Sequence, residues 1–289
     1  EHHSVLLPFQ ELAVRTGATL KWFDLDSEGR ILSNTADEVI TERTKIVAVT
    51  HVGNTTGAIT DIAPMVKRAH EVGAVVVLDA CQSVPHLKID LHALDVDFAA
   101  WSAHKMYGPT GVGFLYGKRD MLEALPPANF GGSMVELAWM DQEAQYMAPP
   151  ARFEAGTQPV AQVVAAGVAA EWLMNIGMEN LEAHERVIAG ELLKMGQIDG
   201  VRILGPQTNE QRIGTVAFEI DGVHPHDVGQ FIDAQGIAIR VGHHCAQPVH
   251  RHFGVYASNR ASSGIYNSVE DAQALVEALK KVRPFFGVE

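Results

Sequence analysis

Ser102-Ala-His-Lys105-Met-Tyr-Gly108-Pro-Thr-Gly111-Val-Gly113 sets a single lysine between an apolar run and a glycine-rich turn. The run before it, Phe98-Ala-Ala-Trp101, reads as a buried strand, and Val112-Gly-Phe-Leu-Tyr116 reads as an antiparallel return. Upstream, Ala74-Val-Val-Val-Leu-Asp79 is another strand, closed by a carboxylate, with Gln82 three residues on. Earlier still, Lys45-Ile-Val-Ala-Val-Thr-His51 is a third strand, with Asn54 just past its end. Between the last two, residues 61–72 carry a helical pattern, with Asp61 as its cap and Gly73 as its stop. Strands alternating with helices predict an α/β fold, a mostly parallel sheet covered by helices. Ligands of such sheets sit at the carboxyl ends of the strands. Asn54, Asp79 and Lys105 all follow strand ends, so one pocket is expected to collect them.

An acid at one strand end and a lysine at a later one are what a pyridoxal phosphate site requires. The lysine amine condenses with the aldehyde, and the acid keeps the pyridine nitrogen protonated, which makes the ring an electron sink. Ser102 and His104 flank the lysine and suit a phosphate. Gly108, Gly111 and Gly113 let the backbone pack closely beneath a cofactor. Alone, Lys105 reads as a solvated side chain and Asp79 as a turn carboxylate. Together with Gln82, they point to the cofactor.

The 289 residues are 47% hydrophobic and 20% charged, ordinary for a globular chain with ample core. A formal net charge of -13 argues against nucleic acid or an anionic membrane as partner. No apolar run is long enough to span a bilayer, and no segment reads as a signal peptide. Cys81 and Cys245 are the only cysteines, so a disulfide framework is excluded and a cytoplasmic location is expected. The chain starts at Glu1-His2-His3, and Ser4-Val-Leu-Leu-Pro-Phe-Gln then runs directly into helix-like sequence. A further N-terminal segment is therefore expected upstream.

Pro126 to Pro159 reads as a long connection, and Val160 to Met195 as mainly helical. Beyond it the pattern becomes α+β. Strands are expected at Val201–Leu204, Thr215–Ile220 and Gly236–Arg240. Helices are expected at Val223–Gln235 and Val269–Val282, the latter opened by Ser268 with Asp271 three residues on. Two domains are predicted, 1–174 and 175–289.

A second constellation is Arg240-Val-Gly242-His243-His244-Cys245-Ala-Gln-Pro248, followed by His250 and His252. A zinc site is one reading, but adjacent residues rarely face one ion and no CxxC is present. A buried structural thiol is another. The third is a nucleophile on a glycine-containing loop, its thiolate favoured by imidazoles and Arg240. Spacing leaves the last two level. Arg260, in Ser258-Asn-Arg260-Ala-Ser-Ser263, reads as a surface charge or as a two-point grip on a substrate carboxylate, with Arg240 as a second contact.

Taken together, these segments resemble the class V aminotransferases, specifically the SUF-type cysteine desulfurases. The matching stretches are Glu1-His-His-Ser4, Thr50-His-Val-Gly-Asn54, Asp79-Ala-Cys-Gln-Ser-Val-Pro-His86, Ser102 to Gly111, Phe153-Glu-Ala-Gly-Thr157, Arg240 to Pro248 and Arg260-Ala-Ser262. They follow family order across the whole chain, and Arg-x-Gly-His-His-Cys-Ala is the most specific of them.

The resemblance implies an aspartate-aminotransferase-like large domain, lacking its N-terminal part, and a smaller C-terminal domain with the cysteine loop. It implies that His2 stacks on the pyridine ring, Asp79 pairs with its nitrogen and Lys105 forms the Schiff base. Asn54 and Gln82 are expected at the phenolic oxygen or the substrate carboxylate, and Ser102 and His104 at the phosphate. Thr157 is expected to reach the partner subunit's phosphate, which makes the enzyme a homodimer. Cys245 is the implied sulfur acceptor, and Arg260 the implied carboxylate ligand. The implied reaction converts L-cysteine to L-alanine and passes persulfide sulfur to a SUF-type acceptor protein and cluster scaffold, for iron–sulfur cluster assembly. Selenocysteine lyase activity is the nearest alternative, and a truncated, inactive binding platform a second. Cys81 stands where the family commonly has alanine.

Overall fold

The computed structural model describes residues 1–288. It opens with helix α1 (His3–Thr16), whose cap is the His2 imidazole: Nδ1 accepts from the Ser4 N–H at 3.1 Å. Gly17, at φ 71°, ends the helix by donating its N–H to the Ala13 carbonyl. A single turn, α2 (Ala36–Val39), leads to strand β1 (Ile46–Thr50) and helix α3 (Ala63–Glu71). Strands β2 (Val75–Asp79), β3 (Phe98–Ser102) and β4 (Gly113–Gly117) complete a sheet ordered β1-β2-β3-β4.

The first three strands are parallel, and β4 returns antiparallel to β3, as the sequence pattern predicts. Their residues explain the burial. Val47 and Val49 of β1, Val76 and Leu78 of β2, and Ala99 of β3 form one apolar core with Met65, Val66 and Ala69 of α3. The register fixes the pocket edge: Thr50 pairs with Asp79, and Asp79 with Ala100. The carboxyl ends of β1, β2 and β3 therefore finish side by side.

The connection 126–159 holds a small hairpin, β5 (Val135–Leu137) with β6 (Gln145–Tyr146), after the short helix α4 (Arg119–Ala124). The expected helical stretch at 160–195 is two helices, α5 (Val160–Ile176) and α6 (Met178–Leu192). They bend by 77° at Gly177, whose φ of 88° an L side chain rarely adopts. No single helix among the described residues is long and apolar enough to cross a membrane. Much of α5 is apolar yet exposed, including Val160, Val164, Val168, Trp172 and Met174.

A second sheet joins β7 (Val201–Ile203), β8 (Thr215–Ile220), β9 (Arg240–Gly242) and β10 (Ser258–Ser262), antiparallel throughout, in the order β7-β8-β10-β9. Helices α7 (Pro225–Asp233), α8 (Gln247–Phe253), α9 (Val269–Leu279) and α10 (Val282–Phe286) complete the chain. A core of Val216, Phe218, Val228, Ile232, Leu275 and Leu279 lies between the β8 side of this sheet and its helices. The capping box read at Ser268 and Asp271 is present at the start of α9.

One strand sits later than its sequence suggests. Ile237 and Ile239 alternate as strand residues do and pack against the core, but Gly236 is still turning at φ 78°. Ladder pairing begins only at Arg240, opposite Arg260.

Candidate active site

Asp79 ends β2, and its Oδ1 accepts the Cys81 N–H at 2.9 Å, which fixes the carboxylate at the sheet edge. Ser102 ends β3, and one 3₁₀ turn brings the chain to Lys105. That turn closes through Met106 N–H and Gly108 N–H, both donating to the Ala103 carbonyl at 3.0 and 2.9 Å. A Cβ at position 108 would stand 3.0 Å from that same oxygen, so the turn behind the lysine leaves little room for a side chain there. Tyr107, at φ 64°, accepts the Ile265 N–H on its hydroxyl at 2.8 Å and ties the lysine turn to the C-terminal half.

His2, Asp79 and Lys105 come together, although 77 and 26 residues separate them in sequence order. The His2 imidazole is held below its ordinary pKa, first by burial and then by the Lys105 ammonium, with Asp79 opposing. Cys81 shares this environment. Burial, then the Asp79 charge, push its thiol up to about 11, while Lys105 and Ser102 act the other way. Lys105 enters no ion pair among the described residues. Gln82 is half-buried three residues beyond Asp79, His104 is exposed beside Lys105, and Thr157 is exposed.

Cys245 is exposed on the loop between β9 and α8. Both His244 (φ 51°) and Cys245 (φ 56°) are in the left-handed region, which disfavours L side chains. The loop keeps this conformation through contacts from far away. The Asn54 side-chain amide donates to the His244 carbonyl at 2.6 Å, and the His3 N–H donates to the Cys245 carbonyl at 2.8 Å. Asn54, expected to contact cofactor or substrate, thus commits its Nδ2 to the cysteine loop.

Behind the loop runs a polar chain that sequence reasoning missed. His250 Nδ1 faces the Ala246 carbonyl at 3.1 Å, and its Nε2 faces the Ser258 hydroxyl at 3.0 Å. The same hydroxyl lies 3.0 Å from His244 Nε2. A carbonyl only accepts, so His250 donates from Nδ1 and accepts at Nε2 from Ser258. The serine oxygen then accepts from His244 Nε2–H. His244 Nδ1 is left as a buried acceptor without a partner. Burial first, then Arg260, His250 and Arg240, lower the His244 pKa to about 3. Neutral histidine is thereby built into the site. No spacing rule signals this chain, because its members meet only when β10 and α8 pack.

Arg260 on β10 stands directly opposite Arg240 on β9. Its Nη1 donates to the Asn54 carbonyl at 3.0 Å, and its buried Nε has no partner. Burial, then the Arg240 charge, lower its pKa, with Cys245 opposing. Like charges across a ladder repel, and an orphaned buried donor costs free energy. An anion placed there relieves both. Among the described residues, no group of three or more His, Cys, Asp or Glu side chains is arranged to hold a metal ion.

The donor set fits pyridoxal phosphate. It offers an acid at a strand end, an amine free of ion pairs, an imidazole held neutral, and Ser102 and His104 beside the lysine.

Comparison with known proteins agrees with this chemistry. Residues 1–275 match the family described as aminotransferase class-V. The chain is 49% identical to a probable cysteine desulfurase 2 of Mycobacterium leprae, spanning all of this chain and 69% of that protein. It is 42% identical to a cysteine desulfurase of Haloferax volcanii, over 99% of this chain and 67% of that one. The crystal structure of the cysteine desulfurase CsdA from Escherichia coli superimposes with a TM-score of 0.94 at 36% identity, over 99% of this chain and 70% of that one. The chain therefore belongs to the class-V aminotransferases, among the pyridoxal phosphate-dependent cysteine desulfurases.

Proposed function

We propose that this cysteine desulfurase is of the SUF type and carries the sulfur of L-cysteine as a persulfide on Cys245. Lys105 would hold the cofactor covalently, Asp79 would keep the pyridine nitrogen protonated, and His2 would stack on the ring. Ser102 and His104 would hold the phosphate, joined by Thr157 from a second subunit. Gln82 would contact the cofactor's phenolic oxygen or the substrate carboxylate. When bound, pyridoxal phosphate supplies the electron sink that makes the α-proton of cysteine acidic.

The chain's own residues do the rest. Arg260, with Arg240 across the ladder, grips the substrate carboxylate. Asn54 fixes Arg260 through its carbonyl and the cysteine loop through its amide. Lys105, its Nζ freed once the substrate amine has taken its place on the cofactor, would take the α-proton and return it as the product forms. The Cys245 thiolate attacks the substrate sulfur, so a sulfur–sulfur bond forms and the substrate carbon–sulfur bond breaks, its electron pair staying with Cβ, which takes up the proton the Cys245 thiol gave up. Thiol plus L-cysteine gives persulfide plus L-alanine, which balances without an outside oxidant.

The observation that carries the reading is the exposed Cys245 on a loop held by Asn54 at the His244 carbonyl and by His3 at the Cys245 carbonyl, with Asn54 also bonded to Arg260. The same reading divides the chain into domains 1–174 and 175–289. It makes the enzyme a cytoplasmic homodimer, with L-cysteine and a SUF-type sulfur acceptor and cluster scaffold as partners and iron–sulfur assembly as the destination. The exposed apolar side chains of α5 support a subunit contact, and two unpaired cysteines support a reducing compartment.

The test is Cys245→Ser. Cysteine turnover is expected to collapse while cofactor absorption persists. Selenocysteine turnover is expected to fall less, because selenide leaves more readily. Full turnover on cysteine would overturn the proposal.

A further inference from the structure

The C-terminal part of the loop that carries Cys245 is held by a single residue, through both its side chain and its backbone. Helix α8 starts at Gln247, and its cap residue, Ala246, has no side-chain acceptor to offer. The Gln247 N–H, one of the donors every helix start leaves unpaired, is accepted by His3 Nε2 at 3.2 Å. The His3 N–H is itself a first-turn donor of α1, and it donates to the Cys245 carbonyl at 2.8 Å. The starts of the two helices thus satisfy one another across the cysteine.

We propose that His3 is a positioning residue for sulfur transfer: its imidazole caps α8 through Nε2 while its backbone N–H holds the Cys245 carbonyl, which fixes the cysteine loop against the start of α1. This deepens the reading of Cys245 as sulfur acceptor and rests on it. Three observations support the role. His244 and Cys245 both occupy left-handed backbone conformations, which persist only where neighbours enforce them. His3 contacts the loop on both sides of Ala246, once at Cys245 and once at Gln247. Finally, His2 and His3 are consecutive at the start of α1, so the cap of that helix and the loop clamp share one turn of backbone.

Only an acceptor serves at position 3. Imidazole protonated on Nδ1 alone presents its Nε2 lone pair to the Gln247 N–H. Glutamine keeps an acceptor oxygen on a side chain of similar reach, whereas leucine fills the space without one.

The experiment uses the cofactor-loaded protein with His3→Leu and His3→Gln. Alkylation of Cys245 by iodoacetamide is followed by peptide mass spectrometry, alongside cofactor absorption and the steady-state constants for L-cysteine. His3→Leu is expected to lower kcat by about tenfold, the loss of one hydrogen bond to a constrained loop. It is also expected to change the Cys245 alkylation rate several-fold, with KM and the absorption band unchanged. His3→Gln is expected to stay within about twofold of the parent on every measure. If leucine and glutamine variants behave alike, or if both match the parent, the clamp is wrong. A Cys245→Ser protein that still desulfurates would instead sink the underlying reading of the acceptor. An inactive Cys245→Ser beside an unaffected His3→Leu would sink the clamp alone.

Discussion

The side-chain amide of Asn54 donates to the main-chain carbonyl of His244 at 2.6 Å, across 190 residues of sequence. The Asn54 carbonyl accepts from Arg260 Nη1 at 3.0 Å. One residue just beyond β1 thus joins the proposed substrate clamp to the proposed sulfur acceptor. Asn54→Ala leaves the His244 carbonyl unpaired in a half-buried place, at a cost of about 1–2 kcal/mol. The expected result is a fall in kcat of about tenfold with cofactor absorption intact. Asn54→Asp should be worse, since a carboxylate then faces a carbonyl. Steady-state assays of both variants check this, and equal activity of asparagine and aspartate would contradict it.

Arg260 stands opposite Arg240 in the ladder and keeps an unpartnered Nε. Such an arrangement is costly until an anion arrives. Arg260→Lys retains the charge but loses the planar fork, so two-point binding becomes one-point. KM for L-cysteine should rise about ten- to a hundredfold, the worth of one charge-assisted hydrogen bond. Arg240, more exposed, should matter less. An Arg260→Lys enzyme with unchanged KM would remove Arg260 from the substrate clamp.

Sequence alone reached the sheet and the strand-end residues because both follow from local rules. Valine-rich runs make buried parallel strands, and their carboxyl ends collect Asp79 and Lys105. It missed what depends on chain segments meeting late. Position 3 reads as part of a terminal histidine pair, and its hold on Gln247 appears only when α1 meets α8. The chain from His250 through Ser258 to His244 is likewise invisible, because a serine in a strand looks ordinary. The strand expected at 236–240 failed for the opposite reason. Alternating burial of Ile237 and Ile239 mimics a strand, although backbone pairing begins at Arg240.

The two cysteines should separate chemically. Burial and the neighbouring Asp79 push the Cys81 thiol up to about 11, so at pH 8 roughly one molecule in a thousand carries its thiolate. Cys245 is exposed. Iodoacetamide at pH 8 should label Cys245 at least about tenfold faster than Cys81, since alkylation follows thiolate and access. Peptide mass spectrometry over a time course reads both rates. Cys81→Ala should keep the parent's alkylation rate at Cys245. Comparable labelling of the two thiols would contradict the environment assigned to Cys81.

Acid should destabilise the fold through histidines that stay neutral inside it. Burial lowers the His51 pKa to about 4, and burial with Arg260 and other neighbours lowers that of His244 to about 3. In the unfolded chain both titrate near 6.5, the ordinary value. Between about 6.5 and the folded values, the unfolded state binds more protons, so stability rises with pH across that window. Equivalently, stability complete at pH 7.5 is lost as the solution passes below about 6.5, at about 1.4 kcal/mol per pH unit for each histidine. By pH 5 each should have removed about 2 kcal/mol. His51→Gln cannot gain the proton, so its loss between pH 7.5 and 5 should be smaller by about that amount. Urea unfolding of the parent and His51→Gln at the two pH values measures the difference. Parallel pH slopes would show that His51 is not held neutral in the folded protein.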